Sequence, residues 1–302
     1  MVADTSGEQD IRGIDIDKLA RGFADEASVL KKFVMVSKTA AREIRWYQKT
    51  AGFVDTTDTT AITASGIFNV PERSLPNVVA QTWTRKTSYV KHFKVESELI
   101  STEDINDSDI DILGTHVRDL VRAVVNQVDI RIYSTLIEAA AATPTVPAPS
   151  DTLTTVAVQD GWDDEVTGNP ILDIMIGNRK IRAQSIVTDN IVLYINPIEH
   201  QHLLNYLINV KGSSIPSFSS DKVQTGVLME LLGNKVVVSQ NASSDGALQF
   251  VPMVSCVWKT FKGISSVVID EPLIGKKIRV SESGEGLLVF PKSVHQITDT
   301  IT

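Results

Sequence analysis

The chain has 302 residues, 42% of them hydrophobic and 22% charged, with 17 glycines, 11 prolines and one cysteine. This composition excludes collagen, coiled coil and wholesale disorder, and the length suits about two domains with a substantial core. A lone cysteine, Cys256, excludes an internal disulfide and a thiolate zinc finger, which fits folding in a reducing compartment. Nothing in the sequence approaches 18 uninterrupted apolar residues, and a formal net charge of −8 disfavours broad binding to a phosphate backbone.

Residues 1–26 carry seven acids against three bases with little apolar periodicity, and read as an arm that lies on another surface. Scattered apolar positions from Ile14 to Val36 fit short helical pieces. From Ala51 to Ser74 the sequence turns to Thr, Asp, Gly, Ala and Ser, which predicts an irregular tip. That tip is flanked by β-like sequence at Glu43–Trp46 and at Asn77–Leu99. In the second flank Val79, Trp83, Tyr89, Phe93, Val95 and Leu99 occupy odd positions, so a long strand or hairpin arm with one covered face is expected.

Ser101 with Asp104 resembles a capping arrangement, and a second helix start follows at Ser108 or Asp109. Leu113, Val117, Leu120, Val121, Val124, Val128, Ile132 and Leu136 then recur every three or four residues. They predict one helix of roughly 25 to 30 residues, about 40 Å long. A run of Ala, Thr and Pro from Ala139 to Ser150 ends it. Beyond this boundary helix and strand alternate. Asn169-Pro170 opens a helix with Leu172, Met175, Ile176 and Ile181 inward, and Asn190–Ile195 reads as a buried strand. Asn196-Pro197 opens another helix, with Ile198, His202, Leu203, Tyr206 and Leu207. Lys211–Thr225 reads as an exposed loop, and Lys235–Ser239 as a strand after a Gly-Asn turn. Four strands, Val254–Lys259, Ile264–Ile269, Lys277–Val280 and Gly286–Phe290, are expected near the end of the chain, joined by glycine turns.

Concentrated catalytic chemistry is absent from the sequence. There is no Walker lysine loop, dinucleotide fingerprint, Gly-x-Ser-x-Gly elbow or His-Glu-x-x-His motif, and no cofactor or metal site is expected. Glu199, His200 and His202 come closest to a metal cluster, but positions 200 and 202 point about 200° apart on a helix, so they read as surface or boundary residues. His92 and His116 read as solvated. Cys256, in an apolar β-like run, reads as a buried structural thiol. Gly284-Glu285-Gly286 reads as a hairpin turn.

Charge segregation carries more information. Residues 73–95 contain Arg73, Arg85, Lys86, Lys91 and Lys94 and no acid, whereas residues 96–111 contain Glu96, Glu98, Glu103, Asp104, Asp107, Asp109 and Asp111 and no base. Two readings stand side by side. The acids can favour the helix N-terminus while the bases form a solvated strand face. Alternatively, the basic arm of one subunit lies across the acidic helix start of its neighbour and sets register in an assembly.

Taken in order, the arm, the Thr/Gly-tipped hairpin ending at Trp83–Leu99 and the acidic lead-in with its helix at Asp109–Ala140 resemble the major capsid protein of tailed double-stranded DNA viruses, the HK97-type fold. The phrases Asn190-Ile-Val-Leu-Tyr-Ile-Asn-Pro197, Leu231-Leu-Gly-Asn-Lys-Val-Val-Val-Ser239 and Trp258-Lys-Thr-Phe-Lys-Gly263 continue the series. The resemblance implies an α+β chain with an N-terminal arm (1–50), an extended hairpin (51–96), a peripheral domain with a spine helix (97–150 and 263–292), an axial domain (151–262) and an axial C-terminal segment (293–302). It implies hexamers and pentamers closing an icosahedral shell around packaged DNA, and a virion protein assembled in the host cytoplasm with no catalysis and no membrane. Portal and scaffolding proteins are the implied partners besides other copies of the chain, with scaffolding either a separate protein or a removed segment. The resemblance also strengthens the intermolecular reading of the charges. Lys86 and Lys91 lie in the hairpin, where some members form covalent links, but no partner asparagine is identifiable and no link is expected. An encapsulin, a cellular shell of the same fold, and an unrelated two-domain α+β enzyme are the alternatives.

Overall fold

A computed structural model describes residues 19–24, 27–51, 72, 82–101, 103, 112–138, 154–157, 160–164, 167–183, 190–210, 230–272 and 274–301. Two sheets share one long helix. In the first sheet β1 (Met35–Lys38) runs parallel to β11 (Cys256–Glu271), which pairs antiparallel with β12 (Gly275–Leu288). β4 (Lys91–Glu96) closes the order β1-β11-β12-β4, and β5 (Ile100–Ser101) pairs with the start of β12. The second sheet has the order β6 (Thr154–Ala157), β13 (Val294–Thr298), β10 (Gly246–Phe250), β7 (Ile191–Ile195), β9 (Asn234–Val238) and β8 (Glu230–Leu231). A separate two-stranded ribbon pairs β2 (Glu43–Ala51) with β3 (Thr82–Tyr89).

The long helix, α1 (Ile112–Leu136), follows the predicted spacing: Leu113, Val117, Val121, Val124, Val128, Ile132 and Leu136 are all buried. Its N-terminal half packs with Ile100, Ile278 and Val280 of the first sheet, under helical residues 19–24 that bring Ala20 and Ala24. Its C-terminal half meets Trp258 of the first sheet together with Tyr194, Leu248 and Phe250 of the second. One amphipathic helix thereby joins two β-layers, its apolar stripe packing on the first sheet along its first half and on both sheets along its second. On the opposite face of the second sheet, α2 (Pro170–Ala183) and α3 (Pro197–Asn205) cover Leu193, Ile195, Ala247 and Ile297 through Ile174, Leu203 and Leu207. Asn196 caps α3 by accepting the Ile198 N–H at 3.2 Å, as the Asn-Pro signal predicts. Five residues in a π turn, Tyr206–Val210, extend that helix.

Several expectations need correction. The alternating run at 77–99 is not one strand. At Val90, whose N–H donates to the Arg42 carbonyl, the chain leaves the ribbon, and β4 pairs with β12 in the first sheet. The ribbon's first arm extends well past Trp46 to Ala51, so this half of the hairpin lies within the segment expected to be arm. The four strands expected near the end are two long ones, β11 and β12, followed by β13. Gly284 and Gly286 do not turn. They sit inside β12, where a Cβ on Gly284 would fall 2.6 Å from Trp258 and one on Gly286 2.8 Å from the Thr135 hydroxyl. Glycine there buys close approach to a tryptophan and to α1, a demand that sequence cannot distinguish from a turn. The chain changes sheets between Phe250 and Cys256, whereas residue 263, the expected boundary, lies within β11.

On α2 the inward residues are Ile174, Gly177, Asn178 and Ile181, while Leu172 and Met175 are exposed. Gly177 sets this rotation, because it lets the helix settle onto Gln249 and His295 of the sheet. Ile198 is likewise exposed. A genuine tight turn joins β8 to β9 at Leu232-Gly233, with φ of +53° and +74°. The expected tip at 51–74 lies, apart from Ala51 and Glu72, outside the described residues, as do the helix start at Ser108 or Asp109, the boundary run at 139–150 and the loop at 211–225.

Candidate assembly surface

The β2–β3 ribbon has two unlike faces. Ile44 and Gln48 are buried on the inner face, where Trp46 Nε1–H and Gln48 Nε2–H both donate to the Leu288 carbonyl, at 3.0 and 2.7 Å. These bonds pin the base of the ribbon to the end of β12. The register places Glu43 opposite Tyr89, Arg45 opposite Thr87 and Tyr47 opposite Arg85, all on the other face. Tyr47, Trp83 and Tyr89 are 58%, 52% and 62% exposed there. Arg45 forks onto Glu43 with Nε–Oε1 at 2.7 Å and Nη2–Oε2 at 3.2 Å. That hydrogen bond, aided by the positive field of Arg45 and of Arg85, holds the Glu43 carboxyl below the usual range. Of the strand face expected to be covered, Trp83 and Tyr89 on the ribbon are therefore exposed in the single chain, whereas Phe93 and Val95 on β4 pack against its core. The composition of the ribbon's outer face, Trp, Tyr and Arg, is the one enriched at the energetic centres of protein interfaces.

The basic block divides between two surfaces. Arg85 is exposed on the aromatic face, and Lys86 stands opposite Trp46 on the inner one. Lys91 and Lys94 are exposed on β4, in the first sheet. In the acidic block Glu96 pairs with Arg279 across β4 and β12, Arg279 Nε donating to Oε2 at 2.7 Å. Glu98 and Glu103 are exposed. Arg73, Asp104, Asp107, Asp109 and Asp111 lie outside the described residues.

Buried charges escaped the sequence reading. Asp129, on the apolar stripe of α1, accepts the N–H groups of Val29, Leu30 and Lys31 at 2.8, 3.3 and 3.2 Å, capping the short helix Leu30–Phe33. Burial pushes its carboxyl up, and the three N–H groups oppose that shift. Lys31 pairs with buried Glu282, and Arg131 with buried Glu285. The signal was present: an acid among buried helix positions requires donors, and Asp129 falls between Val125 and Ile132 on that stripe. Glu199, expected at the surface or its boundary, lies deeper than either. It is fully buried, faces the Thr300 hydroxyl at 3.4 Å and has its carboxyl pushed up by desolvation. His200 and His202 are half-buried, and no group of metal-ligating residues occurs among the described residues. Cys256 is buried, its thiol pushed up to about 12 by desolvation, as befits a structural residue.

The model of the phage capsid protein family matches residues 93–275, more than half of the chain. The chain belongs to the phage capsid protein family. Its fold is of the HK97 type, and solved capsids superpose over nearly their full length. The cyanophage P-SCSP1u capsid aligns with a TM-score of 0.63 at 11% identity, covering 99% of this chain and 92% of that one. The Mycobacterium phage Che8 structure gives 0.61 at 15% identity, with 91% and 92% covered. A virus-like particle from Pyrococcus furiosus gives 0.61 at 10%, with 94% and 98% covered. No curated protein matches. As a major capsid protein the chain has a structural role in the virion, as part of an oligomeric shell, and the family match favours the viral reading over the encapsulin.

Proposed function

We propose that this capsid protein forms hexamers and pentamers that close an icosahedral head around double-stranded DNA, with the β2–β3 ribbon lying across a neighbouring subunit. The observation that carries the reading is the outer face of the ribbon, where Tyr47, Trp83 and Tyr89 are more than half exposed beside Arg45 and Arg85. An apolar and cationic face held out on a two-stranded ribbon gains stability only when another surface covers it. The matching surface is the acidic stretch of the next copy, from Glu98 and Glu103 through Asp104, Asp107, Asp109 and Asp111 at the start of α1, with Arg85 on the outer face and Arg73 supplying the opposite charge and Lys86 adding its charge from the inner face of the same strand. Lys91, Lys94 and Glu96 lie at the root of this contact. The first sheet with α1 is the peripheral domain, the second sheet with α2 and α3 the axial domain, and residues 293–302 return to the latter. The net charge of −8 suits a lining that releases its DNA. Assembly in the host cytoplasm with portal and scaffolding proteins completes the reading.

The test reverses Arg85 and Lys86 to glutamate and follows assembly by negative-stain microscopy and sedimentation across a salt series. Shells should be lost or weakened most at low salt, where charge acts over the longest range. Assembly equal to wild type at every salt concentration would overturn the ribbon contact.

A further inference from the structure

Four acids are buried among the described residues, and three of them have their charge met. Asp129 accepts three N–H groups, Glu282 pairs with Lys31 and Glu285 with Arg131. Glu199, in the first turn of α3, has no cation beside it among the described residues. Its Oε1 faces the Thr300 hydroxyl at 3.4 Å, too long for a strong bond, and its Oε2 has no hydrogen-bond partner there. The N–H groups of Glu199 itself and of Gly246 favour the charged form, as does the N-terminus of the helix. Loss of water outweighs them and pushes the carboxyl up.

The groups around it supply no counter-charge. Asp245, in the turn before β10, opposes ionisation with its own negative charge. His200, the next residue of α3, is pushed down by burial and so stays neutral. Tyr133 of α1 is pushed up by burial and by the field of Glu199, and stays neutral as well. His202 stands one turn along α3, half-buried, and Asp299 is exposed beside Thr300.

Thr300 itself is fully buried, although it lies beyond the end of β13. Its carbonyl accepts the Trp162 N–H at 2.7 Å, and the next N–H, of Ile301, donates to Asp245 Oδ1 at 3.1 Å. Between β13 and Thr300, Asp299 takes a left-handed turn at φ +60°, so the chain bends to bring Thr300 onto the Glu199 carboxyl. Residues 299–301 are thus folded over an acid that water would otherwise reach.

We propose that Glu199 is a pH-sensitive latch on residues 299–301: as a neutral acid it keeps Thr300 buried against α3, and as a carboxylate it draws in water and releases them. The sign follows from the direction of the shift. A carboxyl raised in the folded chain stabilises that fold fully below the ordinary carboxylate range, and the contribution is lost as pH rises through the raised value. Ionisation also sets a third negative charge beside Asp245 and Asp299, which strengthens the release. The end of β13, an interior strand of the second sheet, thereby becomes sensitive to pH. The latch lies within one subunit and does not depend on the shell reading.

Hydrogen–deuterium exchange of the full chain, read by mass spectrometry and corrected for the pH dependence of chemical exchange, follows residues 294–301 from about pH 5 to about pH 8. Wild-type protection should fall several-fold across that range while α1 keeps its own. Glu199→Gln, whose amide has the shape of the neutral acid, should hold the low-pH protection throughout. Asp245→Asn still offers an acceptor to the Ile301 N–H but removes the like charge, so ionisation becomes easier and the loss should begin at lower pH. Flat protection in the wild type, an equal fall in Glu199→Gln or a parallel fall in α1 would overturn the latch. If Glu199→Gln does not fold, Asp245→Asn decides alone, and a profile unmoved or moved to higher pH counts against the proposal.

Discussion

Two tryptophans, each on a strand, show opposite fates. Trp258 of β11 is fully buried, backed by Gly284 and packed near Phe93, Ile132 and Phe250. Trp83 of β3 is 52% exposed and shares its face with Tyr47, Tyr89 and Arg85. Both follow the same rule, a large aromatic at an alternating position of a strand, and that rule says only that a covering surface exists. For Trp258 the cover is α1 of the same chain. Trp83 stays exposed in the single chain, and the proposed contact gives it a neighbour's surface as its cover. If that contact forms, substitutions at the two tryptophans should separate subunit stability from assembly.

The largest effect is expected where a buried charge loses its partner. Arg131→Ala leaves Glu285, 1% exposed, without its cation between α1 and β12. Truncating one member of such a pair costs about 3–5 kcal/mol. Urea denaturation of the unassembled subunit should register that loss as a lowered midpoint, and a shift worth under about 1 kcal/mol would mean that water reaches the carboxylate and that this seam is not part of the core. A smaller loss should follow Gly284→Ala. The added methyl would stand 2.6 Å from the Trp258 ring and 2.8 Å from the Lys259 carbonyl, so β12 must shift, at a cost of about 1–3 kcal/mol. Thermal unfolding checks this, and an unchanged midpoint would show that Trp258 has room that the packing denies.

What the sequence disclosed and what it hid follow the same division. The seam of α1 was legible because a 3.6-residue period needs no partner to be recognised, and the capped start of α3 was legible because Asn-Pro is a local signal. The split at Val90 was not, since β3 and β4 keep one alternation while exchanging β2 for β12, and pairing partners leave no mark on period two. Gly284 and Gly286 misled for a related reason: glycine marks both turns and close approach, and only the far side of the contact, Trp258 and Thr135, decides between them. Glu199 looked like a surface or boundary acid because the groups that meet it, among them the Thr300 hydroxyl, are distant in sequence. In the candidate assembly surface, the basic residues are contiguous in sequence, yet Arg85 and Lys86 lie on the ribbon and Lys91 and Lys94 on β4, a division that only tertiary pairing makes.

The smallest effect tests the comparison most sharply. Trp83→Ala removes a larger side chain than any change above, yet in the unassembled subunit it should alter stability by no more than about 0.5 kcal/mol, as at an exposed site. The measurement is urea denaturation in conditions where the wild type remains dispersed, so that a neighbour contributes nothing. Shell yield from the same preparation should fall sharply, because a tryptophan covered only on assembly contributes its burial there, about 2 kcal/mol or more at an interface centre. A variant that destabilises the isolated subunit by as much as Gly284→Ala would place the cover of Trp83 within its own chain. Loss of shells without loss of subunit stability is the outcome that only a neighbour's surface over the ribbon produces.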